Sequence, residues 1–174
     1  MIRVSAILTA LCLSVLPGCM GGPKVGTPAP AFAARVSDGT EVSLNAFEGD
    51  VLVLDFFATW CPNCRKAAPH IQALHEAWSA NDEVRVVGVH FDDNYSKGHP
   101  TEWAAEHGFT FEIVPDGRSV AEAYNIEMLP AVVVVGRDGR VLHKQWNFYS
   151  GDVDKVTRMI REELWGPDAA EGAP

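Results

Sequence analysis

Apolar residues along this chain fall into two kinds of run, and the difference predicts most of its elements. Val51 to Ala58, Val84 to Val89 and Ala131 to Val135 are near-continuous apolar stretches, the pattern of strands buried on both faces. Pro62 to Ser79, Thr101 to His107, Ser119 to Tyr124 and Asp152 to Leu164 instead space their apolar residues for helices. Pro69 falls inside the first of these and is expected to kink it, because a mid-helix proline removes an N–H and crowds the preceding turn. Trp78, Trp103 and Trp165 are spaced as core residues on helix faces. A short strand is expected near Phe109 to Val114, and Asp38-Gly39 and Asp138-Gly139 read as hairpin turns, the second leading into a strand from Val141 to Trp146. Strand and helix alternate through the middle of the chain, which predicts an α/β domain with parallel strands at its centre.

The first residues follow a different pattern. Arg3 precedes an apolar stretch from Val4 to Leu16, too short to span a bilayer comfortably, and Leu16-Pro17-Gly18-Cys19 follows. This is similar to a bacterial lipobox, in which a small residue precedes a cysteine that is lipidated and becomes the mature N-terminus. The alternative is a soluble secretory signal with a chance cysteine. The expected division is a signal peptide over 1–18, a lipidated N-terminus and flexible, partly stiffened tether over 19–30, one domain over 31–165, and a disordered tail over 166–174. The expected location is the cell envelope, lipid-anchored and facing the periplasm or the outer face of the cytoplasmic membrane.

Composition adds limits. At 174 residues, 47% hydrophobic and 21% charged, the chain suits a single globular domain. A net charge of -9 argues against nucleic acid, whose phosphates need clustered Lys and Arg. Of four cysteines, Cys12 would leave with the signal and Cys19 would carry lipid, so Cys61 and Cys64 remain as the only thiols. One close pair in an exported protein is not a disulfide scaffold; it is there to react.

The pair sits in Trp60-Cys61-Pro62-Asn63-Cys64, where a buried strand gives way to a helix. With Cys61 as N-cap, Pro62 takes the first helical position, where its missing N–H is harmless. The N–H groups of Asn63 and Cys64 then face the Cys61 sulfur, and with the helix dipole they favour a thiolate, the nucleophile of disulfide exchange. Cys64, one turn in, is expected to be the more buried, resolving thiol. A structural disulfide or half of a zinc site are the competing readings, but a lone pair lacks two ligands of a zinc tetrahedron. Asp55 interrupts its apolar strand six residues before Cys61. If buried, its raised pKa would let it take the Cys64 proton; the plainer reading is an Asp at a strand edge facing solvent. Leu129-Pro130 precedes an apolar strand, and a cis bond there would expose the Leu129 backbone for pairing with a substrate chain; an ordinary trans proline is the alternative. Trp60 is read as shielding the sulfurs and packing against substrate. His90, in His90-Phe91-Asp92-Asp93, is read as a solvated loop histidine without a role.

These residues together resemble the thioredoxin superfamily, and within it the exported TlpA/ResA-like thiol-disulfide oxidoreductases. The likeness spans about residues 25 to 165 and rests on Gly26-Thr27-Pro28-Ala29-Pro30-Ala31-Phe32, Asp38-Gly39, the stretch from Val53 to Lys66, Pro69 and Met128-Leu129-Pro130. It implies a thioredoxin fold: a central mixed β-sheet flanked by helices, with an N-terminal β-hairpin extension and a strand-helix element inserted near 92–115. It also implies Cys61 as attacking thiol, Cys64 as resolving thiol, Pro130 in cis and Asp55 as the buried acid. The activity implied is disulfide exchange with exported protein substrates, leaning toward reduction, with no cofactor or metal. The partners implied are protein thiols or disulfides and a redox partner protein, with the chain a monomer held to the membrane by lipid. Several cytochrome-maturation members carry a glutamate shortly after the second cysteine, where this chain has Ala67 and Ala68. Peroxiredoxins share the opening Gly-x-x-x-Pro-x-Phe pattern but place Thr or Ser three residues before their reactive cysteine, where this chain has Ala58. A copper-binding module using the dithiol and a histidine such as His90 is the rival from another class.

Overall fold

The computed structural model describes residues 22–91 and 98–168. The expected signal peptide with Cys12, the expected lipidation site Cys19, Asp92 and Asp93, and residues 169–174 of the expected tail lie outside the described residues.

A hairpin opens the domain, with β1 (Ala33–Arg35) and β2 (Glu41–Ser43) antiparallel across a turn in which Gly39 takes φ +89, as the Asp-Gly pair predicts. A short 3-10 turn over Leu44–Phe47 leads to β3 (Val51–Phe57), every residue of which is buried. After it come α1 (Pro62–Trp78), β4 (Val84–His90), α2 (Pro100–Glu106), β5 (Glu112–Val114), α3 (Arg118–Ala123), β6 (Ala131–Val135), β7 (Val141–Trp146) and α4 (Ser150–Trp165). Helix α1 runs from Pro62 to Trp78 with the exposed Pro69 inside it.

The main sheet has the order β5-β4-β3-β6-β7. β3, β4 and β5 are parallel, β6 is antiparallel to β3 and β7 is antiparallel to β6, so the sheet is mixed and β3 sits at its centre. Burial on both faces explains the unbroken apolar sequence of β6 and that of β3 apart from Asp55. On one face, α1, α2 and α4 cover Val51, Val53, Phe57, Val132 and Val134 with Ile71, Leu74, Trp103, Val156 and Ile160. On the other, α3 and the hairpin cover Leu52, Leu54, Phe56, Val87 and Val133 with Val120, Tyr124, Val36 and Val42. The inserted pair α2 and β5 extends the sheet beyond β4. This is the thioredoxin fold, with the hairpin and insert that the sequence predicts.

Four expectations need correction. The segment expected as a flexible tether is packed on the domain from residue 22 onward: Gly26 N–H donates to Val141 O, Val141 N–H to Thr27 O and Ala29 N–H to Gly139 O, and Pro28 forms a bridge with Arg140. It therefore runs beside β7. Trp165 is 48% exposed, because α4 ends there and its indole only leans on Trp78, 5.9 Å away between ring centres. His90 is buried, not solvated: its Nδ1 lies 3.0 Å from Pro115 O and its ring packs edge-on against Phe57. Cys64, at 2% exposure, is scarcely more buried than Cys61, at 3%, as described next.

Candidate active site

β3 delivers the chain to the site and α1 starts it. Phe57 ends the strand, Ala58 to Trp60 turn, and Cys61 caps the helix with extended backbone angles (φ -79, ψ 111) while Pro62 occupies the first turn. Cys61 and Cys64 are joined as a disulfide with their Cα atoms 5.2 Å apart. Of the two N–H groups expected to reach the Cys61 sulfur, that of Cys64 does so, at 3.1 Å. Both cysteines are almost wholly covered, at 3% and 2% exposure, so accessibility does not separate the attacking thiol from the resolving one. Cys61 is the helix cap, next to the exposed Trp60, and Cys64 lies one turn into α1; both belong to the apolar cluster beneath α1 with Ala67 and Ala68.

Asp55 is 2% exposed in the central strand, paired in register with Gly88 of β4 and Val132 of β6. The solvent-facing edge reading is therefore wrong. Side chains alternate along a strand, so Asp55 shares a face with Val53 and Phe57, the face that packs under α1 with both cysteines. Among the described residues its Oδ1 has no hydrogen-bond partner, and burial alone raises the carboxyl from its ordinary value to about 7. An acid so placed can be protonated or ionised near neutral pH.

The Leu129-Pro130 bond is cis, and Pro130 is buried immediately before β6, whose first residue pairs with Phe56. Pro130 O accepts from Asn147 N–H at 2.8 Å, which ties the proline turn to the end of β7. Leu129 lies beside the redox pair's neighbours in an open groove of about 390 Å³, lined by Trp60, Asn63, Phe91, Met128, Leu129 and Trp146, among others. Trp60 is 42% exposed, Met128 59% and Trp146 41%. Three large apolar side chains are thus left open to solvent around the groove. Met128 enters the sequence reading only as part of Met128-Leu129-Pro130, and Trp146 only as the end of a strand; that strand is of mixed polarity, and nothing local distinguishes Trp146 from a surface residue.

Among the described residues, no three or more His, Cys, Asp or Glu side chains form a group that could hold a metal ion, and no helix is long and apolar enough to cross a membrane.

A thioredoxin-type sheet carrying a Cys-x-x-Cys disulfide at the first turn of α1, next to a cis proline, defines a dithiol–disulfide redox protein. The chain belongs to the AhpC/TSA family, whose model matches residues 25–144. It is 29% identical over 119 residues to the thioredoxin-like protein YneN of Bacillus subtilis, covering 68% of this chain and 69% of that one. To the thiol-disulfide oxidoreductase ResA of Halalkalibacterium halodurans it is 27% identical over 149 residues, 84% of this chain and 80% of that one. Among solved structures, one described as a thiol:disulfide interchange protein DsbE from Chlorobium tepidum superposes with a TM-score of 0.69 at 27% identity, covering 79% of this chain and 96% of that one. The thioredoxin domain of a thiol-disulfide oxidoreductase from Bacteroides vulgatus, at 24% identity and TM-score 0.64 over 76% of this chain and 97% of that one, shares the fold.

Proposed function

We propose that this thiol-disulfide oxidoreductase reduces disulfides of exported proteins while anchored by lipid on Cys19 to the envelope membrane. The observation that carries the reading is the buried Cys61–Cys64 disulfide capping α1 beside an exposed apolar groove and above a carboxyl poised near neutrality.

In the reduced enzyme the Cys61 thiolate, favoured by the helix N-terminus, attacks one sulfur of a substrate disulfide. A Cys61–substrate bond forms, the substrate S–S bond breaks, and one substrate sulfur leaves and takes up a proton. Cys64 then gives its proton to ionised Asp55 and attacks the Cys61 sulfur. The second substrate thiol is released and the Cys61–Cys64 disulfide closes. Two electrons have passed to the substrate, with one proton drawn from solvent and the other passed from Cys64 by way of Asp55 to the second departing sulfur, and a separate thiol protein must return the electrons. Trp60, Leu129 and Pro130 hold the substrate chain, with the Leu129 backbone available for strand-like pairing.

The equilibrium potential of the Cys61/Cys64 couple tests the direction. A value near or below about -230 mV, in the range of thioredoxin and glutaredoxins, supports a reductant; one near about -120 mV, like DsbA, makes the protein an oxidant. A tight one-to-one copper complex of the reduced protein without reductase activity would replace the oxidoreductase reading altogether.

A further inference from the structure

The segment that follows the proposed lipid site is a strap, and it docks next to the active-site groove. Gly22 is wedged between the end of α3 and β7: a Cβ there would stand 2.6 Å from Asn125 Cβ, 2.9 Å from Tyr124 O and 3.0 Å from Lys144 Nζ. Only glycine fits so close an approach. Lys144 Nζ donates to Tyr124 O and Asn125 O, which fastens the same corner, and it stands 5.4 Å from the centre of the Trp146 ring. Asn125 is followed directly by Ile126, Glu127 and Met128, which with Trp146 form one wall of the groove. The strap then continues along β7 through the hydrogen bonds of Gly26, Thr27 and Ala29, and Arg140 donates to Gly26 O at 2.7 Å.

Two residues, Met20 and Gly21, separate Cys19 from Gly22, and the three Cα–Cα steps between them can span at most about 11 Å. We infer that the docked strap, together with the lipid anchor on which this reading rests, holds the Trp60–Met128–Trp146 groove within a side chain or two of the bilayer surface. The substrate that fits is a membrane-borne protein whose reactive disulfide lies close to the lipid headgroups. A free tether of ten or more residues would let the site sample cysteines far above the membrane; a strap leaves two residues of slack. Length and docking thus act as a specificity element.

The test uses the full lipidated chain, reduced, in phosphatidylcholine vesicles. Its substrates are lipid-anchored disulfide peptides raised on stiff proline-rich stems of about 3 or about 12 residues, the longer standing roughly 37 Å off the surface. The short-stem disulfide is expected to be reduced at least about tenfold faster. Inserting about 40 Gly and Ser residues between Met20 and Gly21 should bring the two rates together while leaving reduction of soluble insulin unchanged. Equal rates on both stems in the parent chain, or a preference that survives the insertion, overturns the strap proposal alone. Mass spectrometry of the mature N-terminus separates the two readings: an unmodified Cys19 overturns the anchor and the proposal together.

Discussion

The backbone N–H of Cys64 donates to the sulfur of Cys61 across 3.1 Å, so the second cysteine of the pair helps hold the first at the helix cap. This gives the two buried sulfurs unequal surroundings, on which the proposed division of roles rests. Cys64→Ser keeps that N–H and removes only the resolving thiol. It should accumulate a mixed disulfide on Cys61 with protein substrates, visible as a reducible mass adduct. Cys61→Ser should show none, and an adduct forming equally on either variant would remove the assignment of roles.

Asp55 predicts a pH dependence whose sign can be worked out. Its carboxyl has the ordinary value, 3.8, in the unfolded chain and about 7 in the folded one. The folded state therefore holds the proton more tightly between those values, and stability falls as pH rises through that window, with the full penalty present above about pH 7. A shift of this size corresponds to a few kcal/mol. Asp55→Asn should unfold at a higher temperature than the parent at pH 8 and lose most of the difference at pH 4. The same variant should slow exchange near neutral pH, because Cys64 loses its proton acceptor; unchanged rates across pH 6 to 8 would take Asp55 out of the mechanism.

Trp146 forms a wall of the groove without touching the sulfurs in any contact described above. Trp146→Ala should lower the rate with a protein disulfide by about tenfold, in the range of truncating one well-placed interface aromatic, while leaving reduction of the enzyme by dithiothreitol unaltered. Equal loss with both reagents would mean that the indole supports the fold and not the partner.

Tyr124 is fully buried against Phe32 and Phe56, and its hydroxyl has no hydrogen-bond partner among the described residues. An unpaired buried hydroxyl destabilises by about 1–3 kcal/mol, so Tyr124→Phe should raise the melting temperature by roughly 2–4 °C or more. A lower melting temperature would reveal a partner, such as a buried water.

Gly88 lies opposite Asp55 in the sheet, and a Cβ there would stand 2.6 Å from Ile113 Cδ1, with Phe111 and Phe57 just beyond. Gly88→Ala should cost about 1–3 kcal/mol by overpacking, read by denaturant unfolding.

The sequence was most legible where one local rule decides the structure. The near-continuous apolar runs of β3, β4 and β6, the Asp-Gly turns and the Cys-Pro start of α1 each follow from side-chain chemistry within a few residues, and all are present. Asp55 was legible as an acid out of place, and Pro130 as a proline out of place. What could not be read was how distant segments meet. His90 looks like a loop residue until Pro115 and Phe57 close over it. Trp165 looks like a core residue until the end of α4 leaves it half in solvent. The strap reads as a linker because Gly and Pro are common to linkers and to close packing, and only its partner β7 distinguishes the two.

The five-stranded sheet has two outer strands, and residues that precede β3 attend to both. Ser37 in the hairpin turn donates to Ile113 O on β5, and Gly26 and Thr27 pair with Val141 on β7. Each contact occupies main-chain groups that a bare edge would offer to a second molecule. A chain shortened to begin at β3 would keep the redox pair, the buried acid and the cis proline. It would also expose two pairing edges, and its expected fate is self-association through them.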